Sequence, residues 1–182
     1  MSFLRSLKPG TGLLQIFKAF PETARPLLDY HEVLLRGESP FSVAERELIA
    51  AYVSDLNDCD YCRAVHSQTA VALGIGAETI DQMLTHSRNE HLDVRMRPVL
   101  AFVRKLTLSP DKITALDVDT IFSAGWDDRA LHDAVAICGL FNLMNRLVNG
   151  LGVQAAEAYT RLAGQRLAQN SYAQLLDFLT SR

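Results

Sequence analysis

Cysteine is scarce in this chain, with three in 182 residues and therefore an odd number. Secreted domains stapled by disulfides carry more, in even sets and on shorter chains, so a disulfide framework is excluded. Long apolar runs are also lacking. None approaches the roughly 20 residues needed to cross a bilayer, which excludes a membrane-inserted protein. Charge of either sign is in small excess, the net value being −3, and no cluster of Lys and Arg is interleaved with aromatics. That argues against a surface tracking nucleic-acid phosphates. Strand signals, meaning alternating β-branched runs bounded by Asn-Gly or Asp-Gly, do not occur.

What is present fits an all-α globular protein. The chain is 48% hydrophobic and 21% charged, and its length suffices to bury a core without staples. The first twenty residues hold Arg5, Lys8 and Lys18 but no acid, like a weak transit peptide. They lack the apolar core and cleavage site of a secretory signal. A short helix packing through Leu13, Leu14, Ile16 and Phe17 is expected instead.

Apolar periodicity predicts helices over about 21–36, 43–56, 60–73, 78–85, 91–108, 116–124, 129–148 and 153–179. Gly37 stops the first of these, and Ser42 with Glu45 forms a capping box for the second. Pro98 is expected to kink or split the helix over 91–108. Asp127 or Asp128 caps the helix over 129–148, and the last helix is expected to break near Asn170 and Ser171. No linker or low-complexity stretch divides the chain. One domain over 1–182 is the simplest reading, with a core at about 20–153 and a C-terminal helical extension at 154–182 that could reach a partner subunit.

Chemistry concentrates in Cys59, Cys62 and His66, which stand at i, i+3 and i+7 and fall on one helical stripe. A Cys-x-x-Cys at a helix start can close a small disulfide loop, and the positive end of the helix stabilises a thiolate there. His66 can take a proton from the Cys62 thiol or offer charge to its thiolate. Asp58 and Asp60 suit a helix N-terminus but work against a low thiol pKa. Glu47, twelve residues before Cys59, has the small residues Ala44, Ala50, Ala51 and Ser54 among its helical neighbours. Capping explains Glu45; nothing local explains Glu47. Cys138 lies in an apolar stretch and is expected to pack as a small core residue. Trp126 is expected to pack against neighbouring helices, Asn145 and Arg146 to pair in the core or across an interface, and His31, His86, His91 and His132 to be surface or capping residues.

With the spacing E-x11-C-x-x-C-x3-H, this chain resembles the AhpD-like, carboxymuconolactone decarboxylase-type superfamily, and most of all its peroxidase-related members. The stretch LFNLMNRLVNGLGV, containing Asn145 and Arg146, resembles a downstream helix of that group. The likeness spans roughly 20–153. It implies an all-α, homo-oligomeric protein (dimer, trimer or hexamer) in the cytoplasm, with no metal, flavin or other cofactor of its own. It also implies a thiol peroxidase: Cys62 attacks the hydroperoxide, Cys59 resolves the sulfenic acid to a disulfide, an external dithiol reduces the pair, and Glu47 with His66 relays protons.

The chain departs from the best-known alkylhydroperoxidases at Tyr61, where they place a histidine. Thioredoxin-like sites would make Cys59, nearer the helix terminus, the nucleophile; the closeness of His66 favours Cys62. Zinc is a poor alternative, because three ligands on one stripe leave the tetrahedron incomplete. Two other readings remain open: a lyase acting on a lactone, whose branch of the superfamily does not depend on the cysteine pair, and a non-catalytic redox-sensing helical subunit.

Overall fold

The computed structural model describes residues 2–8, 10–85, 92–154 and 156–180. Among them there are ten α-helices, one 3₁₀ turn at Pro110–Lys112 and no strand. The helices are α1 (Leu13–Ala19), α2 (Pro21–Arg36), α3 (Val43–Leu56), α4 (Asp60–Ala72) and α5 (Ala77–Leu84). They continue with α6 (Met96–Leu108), α7 (Ala115–Ser123), α8 (Asp128–Gly150), α9 (Glu157–Asn170) and α10 (Ala173–Thr180). None is long and apolar enough to cross a membrane.

Local signals place most boundaries. Ser42 accepts from the Glu45 amide while the Glu45 carboxylate accepts from the Ser42 amide, so both orphan donors at the start of α3 are satisfied. Asp127 accepts from the Ala130 amide and caps α8. Pro98 does not kink its helix as expected. It falls in the first turn of α6, which starts only at Met96, and amides there have no intrahelical acceptor to lose. His86 and His91 lie outside the described residues.

α3 is the central element, with Leu48, Ile49, Ala50, Ala51 and Val53 all buried. Its small residues let α4 and α8 approach, and these helices carry the cysteines, His66 and Asn145. The C-terminal helices pack on their own chain: α9 lies along α4, and α10 against α2 and α1.

The α4–α9 crossing is close because Gly164 has no side chain. A Cβ there would sit 2.6 Å from Gln68 Cβ and 2.8 Å from the Val65 carbonyl oxygen. The backbone cannot give way as a flexible side chain would. Gly164→Ala is therefore expected to cost about 1–3 kcal/mol and lower the melting temperature by about 3–10 °C. Calorimetric melting checks this, and an unchanged Tm would mean that α9 is not held to α4 at this point.

Candidate functional site

The turn from α3 to α4 sets the dithiol. Asn57 ends α3, Asp58 takes a left-handed backbone (φ 50), and the Cys59 amide donates to the Ser54 carbonyl at 2.9 Å. Short polar residues such as Asp tolerate that conformation better than most. Cys59 thus becomes the N-cap of α4 and Cys62 lies one turn inside. Both are free thiols and both are buried, Cys59 at 0% exposure and Cys62 at 2%.

The two thiols interact and differ in character. The Cys62 thiol lowers Cys59 to about 7; burial opposes the shift, and the Cys62 amide and the Asn145 side chain assist it. Cys62 is pushed well up, first by the neighbouring Cys59 thiol and next by burial. The direction of both shifts favours Cys59, at the helix N-terminus, over Cys62 as the site of a thiolate.

Asn145 is held beside this pair. Its Nδ2 donates to Ser54 Oγ at 3.0 Å, and its Oδ1 accepts from Asn57 at 3.0 Å. It pairs within the core, whereas Arg146 is exposed and donates to the Asn142 carbonyl. Cys138 is buried near Thr107, Trp126 packs on Phe41 and donates to the Arg95 carbonyl, and His132 is exposed beside Asp133, all as expected.

Glu47 is fully buried, at 0% exposure, and connects three helices and the C-terminal turn. Its Oε2 accepts from His66 Nδ1 at 2.6 Å, and its Oε1 pairs with Arg36 Nη2 at 2.7 Å. The Tyr172 hydroxyl donates to the same Oε1 at 3.3 Å. Burial raises the carboxyl, but His66 and then Arg36 outweigh it and hold Glu47 below its ordinary range. A carboxylate only accepts, so His66 carries its proton on Nδ1 and keeps Nε2 for other work. The structure therefore brings together Glu47, Cys59, Cys62 and His66.

Sequence reasoning missed Arg36, Tyr172 and His31. Arg36 and Glu32 lie a turn apart on α2 and secure the α9–α10 turn. The Glu32 carboxylate accepts from the Tyr172 amide at 2.9 Å, from the Ala173 amide at 3.0 Å and from the Ser171 hydroxyl. Arg36 donates to the Leu167 carbonyl and stacks on the Tyr172 ring. His31 is not a surface or capping residue: it is 2% exposed, on the apolar stripe with Leu28 and Leu35.

A cavity of about 490 Å³ opens beside this network, a size suited to a small organic molecule. Cys62, His66, His31 and Tyr172 line it, but Cys59 does not. Its apolar wall comes from both ends of the chain, including Leu13 and Phe17 of α1, Leu162 of α9, and Leu175 and Phe178 of α10. Tyr61 also lines it, where a histidine would serve as a second titratable group. Burial, and next the Tyr159 hydroxyl, push the Tyr61 phenol up, so it stays neutral and is no substitute for that base. Among the described residues no cluster of three or more His, Cys, Asp or Glu could hold a metal ion.

Comparison with known proteins agrees with this fold. The model of the carboxymuconolactone decarboxylase family matches residues 21–105, the segment containing Glu47, Cys59, Cys62 and His66. Among solved structures, a peroxidase-related protein from Silicibacter sp. TM1040 superposes with a TM-score of 0.76 at 28% identity, covering 81% of this chain and 78% of that one. The alkylhydroperoxidase AhpD core of a peroxidase-related protein from Ralstonia eutropha JMP134 gives 0.75 at 24%, covering 82% and 78%. The debrominase Bmp8, solved with 2,3,4-tribromopyrrole, gives 0.70 at 14%, covering 91% and 81%. These last two likenesses are of fold alone. No curated protein matches the sequence. The resemblance to the AhpD-like, carboxymuconolactone decarboxylase-type superfamily is borne out, as is the all-helical AhpD-like fold.

Proposed function

We propose that the protein is a thiol-dependent peroxidase that reduces hydroperoxides through Cys62 and Cys59, with Glu47 and His66 as its proton relay. The observation that carries this reading is the placement of the dithiol: Cys62 is on the cavity wall with His66, while Cys59 is fully buried and off that wall. Access selects Cys62 for the peroxide even though Cys59 is the stronger acid.

The steps balance as follows. The proton on Cys62 passes to the neighbouring Cys59 thiolate as the Cys62 sulfur attacks the terminal peroxide oxygen. The O–O bond breaks, leaving a sulfenic acid on Cys62 and an alkoxide, which takes a proton from solvent passed through His66 Nε2 while Glu47 steadies Nδ1–H. Cys59 then attacks the sulfenic sulfur. Its proton leaves with the hydroxyl as water, and the Cys59–Cys62 disulfide forms. An external dithiol returns two electrons and two protons. The same resemblance supports a homo-oligomeric assembly.

The reactive form is the pair with one proton removed, so the rate should follow formation of the Cys59 thiolate. The second-order rate of thiol loss to cumene hydroperoxide is expected to be small at pH 5.5, to rise through about pH 7 and to level off above it, because a thiolate forms above its pKa. Stopped-flow measurement across pH 5.5–9 with a thiol count tests this. A rate that stays near zero throughout, or rises only above pH 9, would contradict the proposal.

A further inference from the structure

His31 is a buried titratable group facing the cavity that the steps above do not use. Its Nδ1 lies 2.7 Å from the Leu27 carbonyl oxygen. A carbonyl only accepts, so Nδ1 carries the proton and Nε2 is left as a bare acceptor. Nδ1 is turned toward its own helix, so the edge that the ring offers the cavity carries Nε2. No described residue donates to that nitrogen. The ring is held edge-on to Phe141 at 5.9 Å and against Tyr172 at 5.1 Å, which fixes its direction.

Burial lowers His31 to about 4, with the Leu27 carbonyl opposing the shift and His66, Glu47 and Arg36 as the charged neighbours. It is therefore neutral at the pH where the dithiol is active, and it remains an acceptor throughout.

A fixed neutral acceptor in a largely apolar cavity lacks one thing, a donor hydrogen. We propose that His31 is a substrate-binding residue that accepts the O–H of the hydroperoxide and so turns its terminal oxygen toward Cys62. The site then selects organic molecules that combine an apolar body with a single hydroxyl-type donor. This rests on the peroxidase reading for its chemistry, but the binding claim can be tested without it.

The terminal oxygen of a hydroperoxide carries both the donor hydrogen and the position that sulfur attacks. Holding the hydrogen on Nε2 restricts rotation about the O–O bond and presents that oxygen to the thiol on the same wall. No proton moves to His31. The hydrogen stays on the oxygen as it becomes the sulfenic hydroxyl, and Nε2 goes on accepting it. A ligand without that hydrogen would leave a buried acceptor unpaired, which is disfavoured.

The test uses two ligands that do not react with thiols, 2-phenyl-2-propanol and its methyl ether, titrated calorimetrically into the reduced protein. Wild type is expected to bind the alcohol about tenfold more tightly than the ether. His31→Phe, which keeps a ring but no acceptor, is expected to bind both alike, and His31→Gln, which keeps an acceptor, to recover part of the preference. Circular dichroism melting checks that each variant folds, with His31→Leu as a substitute for His31→Phe.

Equal affinities in wild type, no binding of either ligand at millimolar concentration, or a preference intact in the folded Phe or Leu variant would each overturn the assignment. None of these depends on peroxide turnover. A preference in wild type that His31→Phe loses, in a protein whose thiols survive excess cumene hydroperoxide, would leave His31 as the binding group and reject the peroxidase instead.

Discussion

A Cys62→Ser variant is expected to consume no hydroperoxide above background, whereas Cys59→Ser is expected to react once and stop. The difference follows from where the two sulfurs lie. Only Cys62 lines the cavity, so removing it removes the atom the peroxide meets, and Cys59 is fully buried behind it. With Cys59 gone, the sulfenic acid on Cys62 has no neighbour to resolve it and should be trapped by dimedone in about one equivalent. The first attack should also slow in that variant, because the helix-end anion that accepts the Cys62 proton is lost. Mass spectrometry of the trapped peptide checks the assignment. Dimedone on Cys59 in a Cys62→Ser protein that still consumes peroxide would reverse the order of the two cysteines.

Glu47→Gln is expected to lower the second-order rate with cumene hydroperoxide by about 10²–10³ while leaving both cysteines in place. The amide fills the same volume but carries no charge, so it holds His66 Nδ1–H less firmly. It also leaves Arg36 without its 2.7 Å partner. Removing one member of a buried ion pair typically costs about 3–5 kcal/mol, so the Tm should fall as well. The two effects separate on the folded protein at 20 °C, where a purely structural Glu47 would give a near-normal rate. A Glu47→Gln variant that is less stable but equally fast would remove Glu47 from the relay and keep it as a core ion pair.

The reactive segment was legible because its information is local. Cys59, Cys62 and His66 share one helical stripe whatever the rest of the chain does, and the capping box at Ser42 and Glu45 fixed the start of the helix that carries Glu47. Glu47 stood out by its small neighbours, and those are what let the His66 ring approach it.

The remainder was not legible, for the opposite reason. Tyr172 meets Glu47 across 125 residues, and no local pattern marks it. Arg36 is, by local pattern, an ordinary basic residue in the last turn of a helix. His31 did carry a signal: Leu28, His31 and Leu35 fall at i, i+3 and i+7, which places the imidazole on the buried face of α2. The division of roles between the thiols also required the structure. Spacing puts Cys59 nearer the helix end and Cys62 nearer His66, but only packing reveals which sulfur borders the cavity. The C-terminal helices, beyond the matched segment, turn out to supply much of that cavity's wall.

The measurement that bears most directly on the dithiol peroxidase is a single turnover of the fully reduced wild type with one equivalent of cumene hydroperoxide at pH 7.5. Free thiols are counted before and after, and the digested protein is mapped for disulfides. The expected result is rapid loss of two thiols, one cumyl alcohol formed per chain, a Cys59–Cys62 linked peptide and an intact Cys138. Three thiols still titrating after excess peroxide would contradict the account.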